Sequence, residues 1–201
     1  GAVDARVPIA ALELEATTSR AAQVARGAGY RVLAVRWPVF EGVTGEGLLL
    51  EPDGPPVARI VALPDAGWPP EALAGLAPGV EPAAQFARRL AEHGCQVVVP
   101  VLIDRRDTWS GIPGIRMTNQ PHREYLYRMA FEVGRHIIGY EAQKVLALVD
   151  WFAAQNEQAR RSGRRAAPIA VAGYGEGGLL AFYSAALDPR DSEVEHLDEV
   201  A

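Results

Sequence analysis

Residues 169–178 read Ile169-Ala170-Val171-Ala172-Gly173-Tyr174-Gly175-Glu176-Gly177-Gly178, and an apolar helical pattern follows over 179–187. The pattern is a strand, a tight turn and a helix, and two chemistries use such a turn. The first is the nucleophile elbow, small-x-nucleophile-x-small, where the chain bends so sharply that flanking side chains would clash. Gly173 and Gly177 suit the flanks. Gly175 then takes the nucleophile's place, with no side chain to attack anything. Moving the register to make Glu176 the nucleophile would put Tyr174 and Gly178 in the flanks, and Tyr174 is too large. The second chemistry is the dinucleotide turn G-x-G-x-x-G, which Gly173, Gly175 and Gly178 satisfy. Its glycines let a pyrophosphate approach a helix N-terminus. That turn normally follows the first strand of its sheet, and it needs a second strand about 20 residues on that ends in an acid. Here the turn comes late in the chain, and no apolar strand precedes Asp188, Asp191 or Glu193. Under either reading the glycines also permit close packing of helix on strand.

Working outward, residues 58–63 and 96–103 are short apolar runs, as expected of strands covered on both faces. Residues 30–39 and 44–51 read as an antiparallel pair, and Pro52-Asp53-Gly54-Pro55-Pro56 is a strong turn. Residues 82–93 are amphipathic, with Phe86, Ala87 and Leu90 on one side, and Gly94 stops them. Residues 122–158 are helical in pattern, with Leu126, Met129, Val133 and Ile137, then Val145, Leu148, Val149 and Phe152, at helical spacing. Gly139 is expected to divide them or to mark a kink, and Ser162-Gly163 to close them. Residues 9–26 are rich in alanine and read as a helix ended by Gly27 and Gly29. Residues 64–82 and 104–121 are loops, the second long enough to suggest function. Alternation of this kind predicts an α/β fold, a mainly parallel sheet with helices on both faces. The expected organisation is a helical lead-in over 1–29, an α/β domain over 30–188 and an acidic tail over 189–201.

Composition bounds the function. The chain has 201 residues, 49% apolar and 22% charged, an ordinary globular profile. A net charge of −5 offers no basic face for nucleic acid. Arg160, Arg161, Arg164 and Arg165 cluster, but cations suit a helix C-terminus. No apolar run approaches the length that spans a bilayer. No signal peptide is visible, the chain opens Gly-Ala-Val-Asp without methionine, and no compartment is assigned. The single cysteine, Cys95, excludes an internal disulfide and reads as a buried thiol. No His, Cys, Asp or Glu set has metal-ligand spacing, and no cofactor is expected.

The ordered set of segments resembles the α/β-hydrolase superfamily, in particular the acetyl xylan esterase and dienelactone hydrolase-like proteins. Leu63-Pro64-Asp65-Ala66-Gly67 stands where that family places an oxyanion loop. Gln85-Phe86-Ala87-Arg88-Arg89-Leu90-Ala91 and residues 97–101 are similar to its next helix and strand. Gly134-Arg135-His136-Ile137-Ile138-Gly139-Tyr140-Glu141 with Lys144-Val145-Leu146 resembles its helical stretch. The likeness runs over about residues 30–188. It implies an esterase-type hydrolase with a Ser or Cys nucleophile, then Asp or Glu, then His. The oxyanion donors would be the N–H of Glu176 and one N–H near Asp65 or Ala66. The sequence departs from that pattern at Gly175 and in lacking the later strands that would bear the acid and the His. The expected fold is therefore the N-terminal portion of a hydrolase domain, esterase-like but without conventional serine-hydrolase chemistry. Two alternatives stand: an active carboxylic-ester (carbohydrate-ester) hydrolase with catalytic groups elsewhere or in further sequence, and a dinucleotide-binding domain. Ser110, in the long loop, has no elbow around it, and His122 reads as a capping or pocket residue. His136 reads as a hydrogen-bonded core or helix-packing residue, and Asp104-Arg105-Arg106-Asp107 as a surface ion-pair cluster at a strand's C-terminal end. The edge of the strand at 168–172 should be open, which invites self-association.

Overall fold

The computed structural model describes residues 4–107, 120–188 and 190. Among the described residues seven strands form one sheet: β1 (Glu13–Leu14), β2 (Gln23–Gly27), β3 (Tyr30–Phe40), β4 (Val43–Pro52), β5 (Arg59–Leu63), β6 (Gln96–Pro100) and β7 (Ile169–Gly173). Five α-helices accompany them among the described residues: α1 (Pro70–Leu73), α2 (Phe86–Glu92), α3 (His122–Glu132), α4 (Ile137–Arg161) and α5 (Glu176–Leu187). The sheet runs β1-β3-β4-β6-β5-β7, with β2 also on β3. It is mixed. β5 pairs parallel with β6 and β7, while the pairings from β1 to β6 are antiparallel.

Side chains alternate across this sheet, so each strand feeds two cores. Leu33, Val35, Trp37, Val39, Leu49, Val61, Leu63 and Val98 pack against α4 residues and Leu180 of α5. Their neighbours Val32, Leu48, Leu50, Ile60, Ala62, Val97 and Val99 pack on the other face with residues of α1 and α2. Burial on both faces explains why β5 after Arg59 and β6 after Gln96 are apolar without a break. Cys95 is buried as expected, and that burial pushes its thiol pKa up. No helix among the described residues is long and apolar enough to cross a membrane.

Two expectations are corrected. Residues 9–26 are not a helix: β1 and β2 lie on one edge of β3, with Leu14 opposite Val35 and Arg26 opposite Arg31. Alanine's helix preference is a weak prior, and the long edge of β3 offers a hydrogen-bond ladder that overrides it. Thr17 and Thr18 interrupt the alanines, and Ile9 and Leu12 pack against the core from an extended segment. Gly139 does not divide the helical stretch, because it lies inside α4. The break falls at Gly134, whose φ of 70° is the left-handed conformation that ends a helix. The Gly134 N–H donates to Phe131 O at 2.9 Å and the Arg135 N–H to Ala130 O at 2.7 Å, the paired bonds of a Schellman cap. The tail at 189–201, Arg190 excepted, lies outside the described residues, as does Ser110.

β7 has only β5 beside it among the described residues, and α5 on its flank is apolar nearly all round. Leu180 and Ser184 face inward, one turn apart, while Phe182 remains 71% exposed.

Candidate active site

At the C-terminal end of β7 the chain passes through Tyr174 and Gly175 into α5. Gly175 has φ 57° and ψ −123°, a conformation that L side chains adopt only under strain. The flanks are as tight as an elbow requires. A Cβ on Gly177 would lie 2.5 Å from Pro64 O and 2.7 Å from Leu63 C, both backbone atoms of the loop leaving β5. A Cβ on Gly173 would collide with the Gly177 carbonyl. Gly178 differs, since a Cβ there would come no nearer than 3.4 Å to Gly173 O. Close packing thus falls on Gly173 and Gly177, the elbow spacing, and not on Gly178, which the dinucleotide turn would need. Tyr174 is exposed and stacks on Trp68, with ring centroids 5.1 Å apart and planes 3° from parallel.

Asp65, from the loop after β5, fills the space a side chain at 175 would enter. A Cβ on Gly175 would collide with Asp65 Oδ1 and lie 3.0 Å from its Cγ. Asp65 Oδ1 accepts the N–H of Glu176 at 2.9 Å, and Oδ2 accepts from Arg105 at 2.7 Å and from the Gly67 N–H at 3.3 Å. Burial alone would raise the Asp65 carboxyl, but the Glu176 N–H, the Arg105 guanidinium and the Gly67 N–H together hold it below the ordinary carboxylate range. A depressed pKa stabilises the fold above the unfolded value and is lost as pH falls through the folded one. Asp65→Asn is therefore expected to lower the denaturation midpoint at pH 7, and to lower it progressively less as the pH drops below 3.8, the reference value. Urea titrations of both proteins across that range check this; a gap that stays constant would rule it out.

The carboxylate belongs to a larger network. Arg105 also donates to Glu176 Oε2 at 3.1 Å, and Arg123 of α3 donates to Glu176 Oε1 at 2.5 Å. Arg123 reaches on to Glu141 Oε1 at 3.3 Å. Glu141 is fully buried, takes the Ile103 N–H at 2.8 Å and pairs with Lys144 at 2.6 Å. Three carboxylates and three cations alternate from the elbow into α4. A cleft of about 570 Å³ opens beside them, lined by Arg105, Arg123, Tyr127, Ile138 and Glu176 among others.

The structure thus brings together Asp65, Gly175 and Glu176, and it buries Ala66 next to Asp65. Arg105 forms surface ion pairs as expected, but with Asp65 and Glu176 from other elements. The available signal was its place at the C-terminal end of a strand, where α/β folds bind ligands. Glu141 was missed as a site residue; the usable signal was a carboxylate on the apolar side of a helix. His136 is not a core residue but the exposed N-cap of α4, where Nδ1 accepts the Ile138 N–H at 3.1 Å. His122 lies 3.1 Å from Asp104 at the start of α3.

Comparison with solved structures places the fold. A crystal structure from Bacteroides fragilis, provisionally assigned as an acetyl xylan esterase, superposes with a TM-score of 0.58 at 22% identity, over 81% of this chain and 43% of that one. The chain has the α/β-hydrolase fold. This hydrolase-fold chain spans less than half the length of that structure. Acetyl xylan esterase 1 from a Thermoanaerobacterium species matches at 14% identity and TM-score 0.47, over 89% of this chain and 49% of that one. A dienelactone hydrolase from Anabaena variabilis matches at 18% and 0.46, over 81% and 60%. No protein-family model matches the chain, and no curated protein matches it.

Proposed function

We propose that this hydrolase-fold chain does not carry out conventional serine-hydrolase chemistry. The observation that carries this reading is the Asp65 carboxylate on the Glu176 N–H, beside a glycine at the turn. In a serine esterase the N–H after the nucleophile receives the developing oxyanion. Here an anion already occupies that donor, and its charge would repel a second one. Position 175 supplies no hydroxyl, and a larger residue there would first have to displace Asp65. The same carboxylate sits where a pyrophosphate would approach the helix N-terminus, which counts against dinucleotide binding as well.

A second reading has one observation in its favour. The cleft beside Glu176 has room for a small ester, including a carbohydrate ester, and is walled by the paired arginines. Carboxylates of the network would then take the catalytic roles.

Hydrolysis of p-nitrophenyl acetate separates the two. The protein is expected to release p-nitrophenol at the buffer rate, and Gly175→Ser alone to add nothing while Asp65 remains in place. Turnover by the natural protein that falls tenfold or more in Glu176→Gln would overturn the first reading in favour of the second.

A further inference from the structure

At the opposite end of β5 from the elbow, Arg59 is the first residue of the strand and only 6% exposed. Its partners are all neutral. Nε donates to Asn156 Oδ1 at 3.0 Å, and Nη1 donates to Gln155 Oε1 at 2.8 Å and to Gln96 Oε1. Asn156 is itself fixed, giving its amide to Ala167 O at 2.8 Å and accepting the Ala167 N–H at 3.1 Å. The guanidinium is therefore held rigidly by three carboxamides and has no acid beside it among the described residues. A buried arginine is ordinarily matched by a carboxylate, because an uncompensated charge away from water is costly.

The unmatched charge faces a cleft of about 370 Å³. Its walls come from the turn after β4, from the last turns of α4 and from Arg164 beyond them. Arg164 is exposed and has no acid partner among the described residues. The cleft also contains Glu51 and Asp53, but each is already paired, Glu51 with Arg31 at 2.7 Å and Asp53 with Arg26 at 2.9 Å. The balance of the lining is two unmatched guanidinium groups. Burial, and then the charge of Arg164, push the Arg59 pKa down, so each cation is the other's unfavourable neighbour.

We propose that Arg59 and Arg164 form a binding site for a small oxyanion, a phosphate or carboxylate group, in the cleft between the β4–β5 turn and the C-terminal end of α4. Nη2 of Arg59 has no protein partner among the described residues, and the carboxamides fix the plane in which it donates. Its two hydrogens are left for an anion, and a guanidinium held in one plane suits oxyanion recognition. An anion between the two guanidiniums would relieve their repulsion and match the buried charge. Arg59 and Leu63 are the two ends of β5, about 13 Å apart at the rise of an extended strand, so this site is separate from the elbow.

The test is calorimetric titration of the intact chain with inorganic phosphate and, separately, with acetate, at ionic strength held constant with sodium chloride. One saturable site is expected for at least one of the two, and the preferred ion tells which anionic group the cleft takes. Arg164→Ala, an exposed change that leaves the carboxamide cradle intact, should weaken binding about tenfold. Arg59→Lys keeps the charge but loses the cradled guanidinium plane, and should weaken it as well. If Arg59→Lys does not fold, Arg164→Ala alone decides. Absence of saturable binding for both ions overturns the proposal. Saturable binding that Arg164→Ala leaves unchanged also overturns it, because the ion then sits elsewhere.

Discussion

Gly177→Ala is expected to destabilise the chain by about 3 kcal/mol or more, a loss at the upper end of single substitutions. Helix propensity argues the other way, since alanine is better than glycine inside a helix by about 1 kcal/mol. The collision decides the sign. The new Cβ would lie 2.5 Å from Pro64 O and 2.7 Å from Leu63 C. Both atoms are backbone, and Leu63 is the buried end of β5 and cannot swing aside as a long side chain could. The helix must move off the sheet, opening the contacts of Leu180 with the core. Gly178→Ala is the matched control. Its Cβ meets Gly173 O only at 3.4 Å, so a change of less than about 1 kcal/mol is expected. Urea unfolding of the two variants also compares the two readings of the glycine cluster. An elbow needs glycine at 177, while a dinucleotide turn needs it at 178. If Gly178→Ala proved the more damaging, the elbow spacing would be wrong.

Glu141→Ala should cost a comparable amount, about 3–5 kcal/mol, the range for removing one partner of a buried ion pair. Glu141 is fully buried between Arg123 and Lys144, whose side chains are only 11% and 13% exposed. Removing the carboxylate leaves two cations largely away from water and the Ile103 N–H without its acceptor. It also frees Arg123, which otherwise reaches across to Glu176. Glu141→Ala is therefore expected to act on the elbow as well as on stability. The check is denaturant unfolding together with near-ultraviolet circular dichroism, which reports the stacked Trp68 and Tyr174 at the elbow. An effect within 1 kcal/mol would mean that the network is not a cooperative unit.

What could be read from the sequence and what could not divides along a physical line. Short-range patterns were legible. The alternation in residues 30–39, the continuous apolar runs before Pro64 and Pro100, and the glycine cluster at 173–178 each state a local requirement. Each is met by the structure with the expected strand or turn. A strand buried on both faces has few alternatives to an apolar run. Where propensity alone carried the reading, it failed. Alanines at 9–26 pointed to a helix, and the outcome depended on whether a strand edge was available, which is settled far along the chain at β3.

The candidate site divides in the same way. The sequence by itself determined the glycine turn, its tight flanks and the missing side chain at 175, because turn geometry is a local demand on residue size. Only the tertiary structure decided that Asp65 fills that space, that Arg105 and Arg123 converge on Glu176, and that Glu141 is buried behind them. These groups are brought together from the ends of β5 and β6 and from α3, α4 and α5, up to 111 positions apart. A charged residue's spacing along the chain does not reveal which distant charge it will meet, because opposite charges attract across space whatever their separation in sequence.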